Sequence, residues 1–169
     1  HRISARDLAE IARILIRDFP EEYGMWLERE FTYNGIRQFN RNPLLGVFSG
    51  ADGLKTGHTE EAGYGLVGSA ERDGTRRIIV FNGMESNNAR ANEAERMMRS
   101  ALSDYAIYEL LGAGDLVDHQ AEVFMGEAAS VNLAVAGDVT LGMHRRARRN
   151  MTVEVVYEGP LGAPIAVGQ

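Results

Sequence analysis

The chain has 169 residues, of which 44% are hydrophobic and 25% charged, and its formal net charge is −6. This balance is typical of folded globular proteins, and the length suits one large domain or two small ones. The negative charge provides no overall positive field for nucleic acid or an anionic membrane, and the lack of cysteine excludes disulfides, thiolate metal sites and a cysteine nucleophile.

The first predicted elements are two helices. Ser4 and Asp7 have the spacing of a capping box, and apolar residues at helical intervals then continue for about four turns. Pro20 suits the first turn of a second, short helix, because the N–H that it lacks would be unpaired there. The chain starts at the first cap without a Met, and we expect that both of its ends were cut from something longer.

Antiparallel strands joined by tight turns are predicted next. Phe31 and Tyr33 alternate with polar residues before Asn34-Gly35, the dipeptide that best tolerates the positive φ of a hairpin turn. Two or three further strands are predicted between Leu54 and Met84, with Asp73-Gly74 as a second turn. Connections this short require the joined strands to be antiparallel.

The longest predicted helix covers residues 87–111, where apolar residues repeat at helical spacing. We interpret this apolar stripe as core packing; it includes Met97, Met98, Tyr105 and Tyr108. Beyond Asp115, short apolar runs bounded by Gly or Asn predict several strands of a small β module, namely "VNLAVAG", "VTLGM" and "MTVEVVYEG". We therefore predict two domains, residues 1–113 and 114–169, with a boundary near residue 113.

The stretch "ADGLKTGHTEEAGYGLVGSA", residues 51–70, places Lys55, Thr56 and Gly57 at the start of a predicted strand. Alone, this triplet is a weak signal. Lys55 could be an edge-strand lysine that discourages aggregation, Thr56 a β-branched strand residue and Gly57 a bulge. Lys-Thr-Gly is also one of three elements of the penicillin-recognising serine enzymes, beside Ser-x-x-Lys and a Ser-x-Asn type element.

Three segments together closely resemble the low-molecular-mass penicillin-binding proteins, which are serine-type D-alanyl-D-alanine carboxypeptidases of bacterial peptidoglycan metabolism. These segments are "SARDLAEIARILIRDFPEEY", "FTYNGIRQFNRNPLL" and "DGLKTGHTEEAGYGLVGSA". The resemblance implies an α/β (α+β) fold of the penicillin-binding-protein and β-lactamase type, with an antiparallel sheet covered by helices and followed by a small, here incomplete, β domain. It also implies a location in the periplasm or at the outer face of the cytoplasmic membrane.

In that family a serine attacks the penultimate D-Ala carbonyl of a peptidoglycan stem peptide ending in D-Ala-D-Ala, the terminal D-Ala leaves, and water hydrolyses the acyl-enzyme. The resemblance maps substrate binding onto Lys55, Thr56, Gly57 and His58. Lys55 would attract the terminal carboxylate and Thr56 would donate a directional hydrogen bond to it. Gly57 would leave bare backbone for an extended peptide, and the backbone N–H of His58 would be a catalytic oxyanion-hole donor. β-Lactam antibiotics are the implied inhibitors.

The nucleophile of that family is not in this chain. Neither Ser-x-x-Lys nor Ser-x-Asn precedes the opening helix, and residues 86–88, Ser-Asn-Asn, follow the Lys-Thr-Gly strand in the wrong chain order. We therefore expect this chain alone to be inactive and to need an N-terminal segment that bears both elements. Some relatives have an arginine in the loop after the sheet, directed toward the substrate carboxylate; here Met84 and Glu85 occupy that region, and Arg90 is an open candidate.

Other titratable residues lead to weaker hypotheses. His1, His119 and His144 lie far apart in the sequence, so we expect no metal, and no cofactor is implied. Glu60-Glu61 fits a solvated turn better than an acid–base pair, because neighbouring strand residues face opposite sides. The four arginines of "MHRRARRN" fit either a solvated loop or a contact with envelope lipid or an acidic glycan; they are Arg145, Arg146, Arg148 and Arg149.

Two alternatives to the carboxypeptidase stay open. A non-catalytic peptidoglycan-binding or scaffold protein could retain the same groove. A β-lactamase on the same scaffold is disfavoured, because β-lactamases end with the helix after the sheet, whereas this chain continues in a β-rich tail.

Overall fold

The computed structural model describes residues 3–166 and residue 168. The chain divides into two units between Asp104 and Tyr105. The boundary that we inferred from the sequence, near residue 113, lies further along the chain, because that inference extended the longest helix to residue 111.

The first unit begins with helix α1, Ala5–Asp18. Its cap is the predicted capping box: Ser4 Oγ accepts from the backbone N of Asp7 at 3.1 Å, and the Asp7 carboxylate accepts from the backbone N of Ser4 at 3.4 Å. Helix α2, Pro20–Tyr23, starts at the predicted proline and leads into a 3₁₀ turn, Gly24–Leu27. Both helix predictions are confirmed.

A hairpin follows, made of β1, Glu30–Tyr33, and β2, Ile36–Phe39. Its turn residues Asn34 and Gly35 have φ values of 49° and 77°, in the left-handed region that this dipeptide tolerates. The predicted hairpin is therefore confirmed.

Three strands form the central antiparallel sheet, in the order β3-β4-β5. They are β3, Ala51–Thr59; β4, Gly63–Arg72; and β5, Thr75–Met84. Asp73 and Gly74 make the second turn with φ values of 51° and 71°. Within the described part of the chain β3 pairs only with β4, so it is an edge strand.

Helix α3, Asn87–Ser103, is shorter than predicted. It ends at Asp104, whose carboxylate accepts a hydrogen bond of 2.7 Å from Ser100 Oγ, and the chain continues as strand β6, Tyr105–Leu111. The prediction of helix up to residue 111 was wrong, because the aromatic and aliphatic residues of this segment alternate between more and less exposed positions, as a strand with one covered face requires. Tyr105 and Tyr108 therefore belong to the second unit.

Helices cover the central sheet, as predicted, and they do so on both of its faces. Met98 of α3 is completely buried in a cluster with Leu66 of β4, whereas Ala12 of α1 is buried with Leu54 of β3 and packs near Val67. Leu66 and Val67 are neighbours in β4, so their side chains leave opposite faces of the sheet. The two helices thus hold the sheet between them.

The second unit is the predicted small β domain. Besides β6 it contains β7, Leu116–Phe124; β8, Ser130–Ala134; β9, Val139–His144; and β10, Leu161–Gly162. β6 pairs antiparallel with β9, and β7 pairs antiparallel with β8 and in parallel with β10.

Two of the three strands predicted for this module are present, in "VNLAVAG" and "VTLGM". The third was wrong: residues 151–158 form no strand, and Val156 there is 89% exposed. An apolar run without a partner strand has no ladder of hydrogen bonds to hold it extended. Across residues 3–166 and 168, none of the helices has the length and apolar character that a bilayer crossing needs.

Candidate substrate-binding site

The four predicted site residues lie in consecutive positions of the edge strand β3. Lys55, Thr56, Gly57 and His58 stand opposite Val67, Leu66, Gly65 and Tyr64 of β4. Lys55, Gly57 and His58 are exposed and Thr56 is half-buried. The outer edge of β3 is therefore open rather than packed against the core of the chain.

A cavity of about 620 Å³ lies beside this edge. Its walls contain all four predicted residues together with Arg41, Tyr64, Asn87 and Arg90. The lining thus holds one ammonium and two guanidinium groups and no carboxylate. Arg90, which the sequence left as an open candidate, is one of these cations.

A second cavity of about 470 Å³ shares Arg41, Lys55 and Thr56 with the first. Its other walls are mainly apolar and include Trp26 and Phe39. The same short stretch of β3 therefore has a cationic cavity and a more apolar one next to it.

Lys55 is the only lysine in a sequence whose remaining basic residues are arginines. Its Nζ donates a hydrogen bond of 2.6 Å to the carbonyl oxygen of Thr56, the next residue. An ammonium is a compact point charge, unlike the planar guanidinium that the chain uses elsewhere. This contact keeps the charge at the open edge.

Gly57 has no neighbour that demands a glycine. A Cβ built on it would meet no atom within 4 Å, and its φ is not among the positive values. The opposite residue, Gly65, is different, because a Cβ there would collide with the side chain of Asn82. The space beside Gly57 is thus free for a molecule outside the chain.

The ring of His58 lies against Tyr64, with ring centroids 3.9 Å apart. The guanidinium carbon of Arg90 lies 5.7 Å from the centroid of the same tyrosine. Tyr64 therefore connects the edge strand to α3 and orders one wall of the cavity. This packing suits a structural role for the imidazole.

Arg90 is 6% exposed and incompletely paired. Its Nη2 donates to Asn87 Oδ1 at 2.8 Å and to the carbonyl oxygen of Arg41 at 3.4 Å, but its buried Nε has no partner among the described residues. Burial lowers the pKa of Arg90 below the ordinary value, and the like charge of Arg41 acts in the same direction. Such a guanidinium would be stabilised by an anion in the cavity.

Two contacts that sequence reasoning missed hold the start of β3. Asp52 accepts from Arg76 Nη1 at 2.5 Å and from the hydroxyl of Tyr23 at 2.9 Å. The buried Asn42 donates from Nδ2 to the carbonyl oxygen of Gly53 at 2.7 Å. The sequence signals for these contacts were the acid Asp52 and the amide Asn42, each close to apolar residues. Neither signal indicates which residue will be its hydrogen-bond partner.

The remaining candidates have structural roles. Ser86 caps α3, where its Oγ accepts from the backbone N of Ala89 at 3.1 Å, so residues 86–88 are a helix start. Glu60 and Glu61 lie in the exposed turn between β3 and β4, as predicted. The rings of His119 and His144 contact Tyr157 and Tyr105, respectively.

Comparisons with known proteins cover both units. A family model described as D-alanyl-D-alanine carboxypeptidase matches residues 1–86, and one described as penicillin-binding protein 5, C-terminal domain, matches residues 105–169. The chain is 36% identical over 170 residues to D-alanyl-D-alanine carboxypeptidase DacA of Haemophilus influenzae, which covers 98% of this chain and 43% of that protein. The chain therefore spans less than half the length of this curated relative.

Two solved structures show the same similarity. The D-alanyl-D-alanine carboxypeptidase DacD from Francisella tularensis is 27% identical with a TM-score of 0.81, over 98% of this chain and 53% of that one. Penicillin-binding protein D2 from Listeria monocytogenes, in an ampicillin-bound form, is 36% identical with a TM-score of 0.52, over 55% of this chain and 38% of that one.

Proposed function

Because the chain belongs to the D-alanyl-D-alanine carboxypeptidase family, we propose that it is the substrate-binding part of a serine enzyme that removes the terminal D-Ala from peptidoglycan stem peptides. The chain has no Ser-x-x-Lys before α1, so the nucleophile belongs to a segment outside these 169 residues. The observation that carries the proposal is the cationic cavity beside the open edge of β3.

The charges of this cavity suit a peptide that ends in a carboxylate. Lys55 attracts that carboxylate, Thr56 donates a hydrogen bond to it, and Arg90 provides a buried guanidinium whose Nε is still unpaired. Three cations without a carboxylate are costly to hold together unless an anion joins them. Substrate binding provides that anion.

The backbone of β3 suits the extended shape of a stem peptide. A peptide lying along the edge at Gly57 adds a strand to the sheet, and the missing side chain lets its backbone come close. The penultimate carbonyl then lies near the backbone N–H of His58, which stabilises the oxyanion. The serine hydroxyl forms the acyl bond, the amide bond to D-Ala breaks, and a proton reaches the leaving amine before water hydrolyses the acyl-enzyme.

β-Lactams are the inhibitors that this assignment implies. They present a carboxylate next to a reactive amide, and the similar Listeria monocytogenes protein has been crystallised in an ampicillin-bound form. Because peptidoglycan lies outside the cytoplasmic membrane, we place the protein in the periplasm or at the outer face of that membrane.

A fluorescent penicillin tests the proposal on the complete polypeptide, in which the Ser-x-x-Lys segment is joined to these residues. We expect a stable adduct and D-Ala release from a D-Ala-D-Ala peptide, and Lys55→Ala should slow acylation by about 100-fold or more with unchanged circular dichroism. Lys55→Arg should not restore the rate, because a guanidinium differs in shape and hydration. If no adduct forms, the result would favour a peptidoglycan-binding scaffold protein. If an adduct forms and is rapidly deacylated, it would favour a β-lactamase.

A further inference from the structure

The four arginines after β9 form a surface that the proposed activity does not use. We call Arg145, Arg146, Arg148 and Arg149 the basic tip. All four are exposed; Arg145 and Arg146 follow β9, and Arg148 and Arg149 lie in the 3₁₀ turn Ala147–Asn150. The chain as a whole has a net charge of −6, so this is a local concentration of positive charge on an acidic protein.

Three arginines of the basic tip differ in their partners from several exposed arginines of the first unit. Arg13, Arg96 and Arg99 on the helices of the first unit each pair with a glutamate. In the part of the chain that the structure describes, Arg146, Arg148 and Arg149 pair with no carboxylate. Their charge is therefore available to an external anion.

The tip is also held in place. The guanidinium carbon of Arg148 lies 4.3 Å from the ring centroid of Tyr108, and the backbone N of Arg146 donates to His144 Nδ1 at 3.1 Å. Tyr108 stands opposite Leu141 in the β6–β9 pair, so the two side chains share a face, and Leu141 is 46% exposed. Arginine, tyrosine and an exposed leucine are thus neighbours on one surface.

The basic tip is separate from the cavities described above. The two cavities at β3 and a third of about 510 Å³ in the second unit have no arginine of the basic tip in their walls. A group of four exposed guanidiniums suits an extended anionic surface better than one small anion. The adjoining aromatic and aliphatic side chains suit the boundary between headgroups and acyl chains.

We propose that the basic tip docks on the phosphate headgroups of an anionic lipid bilayer, with Leu141 reaching the acyl boundary. Guanidiniums bind phosphate oxygens in a bidentate manner. Salt weakens the effect of negative charges elsewhere on the chain, because the Debye length is about 8 Å at physiological ionic strength. Each arginine adds to an attraction that weakens as salt is raised.

Vesicle co-sedimentation of the 169-residue chain tests the proposal. Vesicles of phosphatidylcholine with phosphatidylglycerol should bind it, and vesicles of phosphatidylcholine alone should not. The variant R145Q/R146Q/R148Q/R149Q should lose at least about tenfold in affinity. The matched control R13Q/R17Q/R96Q/R99Q removes the same charge from the first unit and should change binding by less than about twofold. Equal loss in both variants, or equal binding to both vesicles, would overturn the proposal.

A second measurement separates lipid from a soluble polyanion. Since the chain has no cysteine, Leu141→Cys can carry a single polarity-sensitive fluorophore. Its emission should shift to the blue on phosphatidylglycerol vesicles and stay unchanged with inorganic polyphosphate. Binding to polyphosphate without binding to vesicles would overturn the lipid assignment in favour of an acidic polymer, and circular dichroism of each variant checks that it is folded.

Discussion

Asp52 at the start of β3 and Arg76 at the start of β5 are joined by an ion pair of 2.5 Å that reaches across β4. The same Nη1 of Arg76 donates to Ser69 Oγ of β4 at 2.7 Å, so one side chain connects all three strands of the sheet. The pair lies three residues before Lys55 in β3. The site strand is therefore held by a polar contact as well as by its packing.

Arg76→Met should destabilise the chain by about 2–4 kcal/mol, because Asp52 is then left poorly solvated without its cation. The side chains of Asp52 and Arg76 are only 14% and 27% exposed. Urea unfolding followed by circular dichroism measures the change. The control Arg13→Met breaks an exposed pair with Glu10 and should leave the urea midpoint almost unchanged, because solvent screens an exposed ion pair. If both variants lose the same free energy of unfolding, the Asp52–Arg76 pair does not stabilise the chain more than an exposed ion pair does.

Tyr23 should make stability fall at high pH. Burial, followed by the negative charge of Asp52, raises the pKa of Tyr23 to about 12 from the ordinary tyrosine value of 10.0. The hydroxyl therefore ionises first in the unfolded chain, so its contribution is complete below pH 10 and is lost as the pH rises to about 12.

The expected loss over that interval is about 2–3 kcal/mol, and Tyr23→Phe should remove this part of the pH dependence. Urea unfolding at pH 9 and at higher pH values, together with tyrosinate absorbance, checks both points. If the free energy of unfolding of Tyr23→Phe falls with pH as steeply as that of the unmodified chain, the loss of stability does not come from Tyr23.

Gly57→Ala should separate binding from folding. A Cβ at Gly57 meets no atom of the chain, so the free energy of unfolding should change by less than about 0.5 kcal/mol. In the complete polypeptide, however, the methyl group should slow acylation by penicillin by about tenfold or more, because it occupies the space of the bound peptide.

Gly65→Ala is the contrasting variant for this experiment, because its Cβ would collide with Asn82 Oδ1 and lie only 3.0 Å from the backbone carbonyl oxygen of Phe81. It should destabilise the chain by about 1–3 kcal/mol. If Gly57→Ala unfolds as easily as Gly65→Ala, the open edge described above is not present in solution.

Arg90→Met should weaken function without weakening the fold. Removing a buried guanidinium with an unpaired Nε leaves stability unchanged or slightly raised, within about 1 kcal/mol. In the complete polypeptide the KM for a D-Ala-D-Ala peptide should rise by about tenfold or more, through loss of a contact to the carboxylate. Arg96→Met, on an exposed turn of the same helix, should leave KM unaltered. An unchanged KM in Arg90→Met would exclude Arg90 from the site.

Much of the fold could be predicted because its signals are local. The capping box of Ser4 and the turns at Asn34-Gly35 and Asp73-Gly74 each involve residues within a few positions of one another. The end of α3 could not be predicted in this way. The segment after Asp104 fits both the helical and the strand period, and the pairing of β6 with the distant β9 decides between them.

In the candidate site, too, some residues could be predicted from the sequence and others could not. The order Lys55, Thr56, Gly57, His58 could be read directly, because one strand carries all four residues. Arg41 and Arg90 come from a loop and a helix far from them in the chain, and only packing brings them to one cavity. The sequence by itself therefore determined the strand that carries the motif, its turns and its caps, since these depend on neighbouring residues. The tertiary structure alone decided that three cations share one cavity and that Arg76 reaches Asp52, because such contacts follow from sheet register and helix packing.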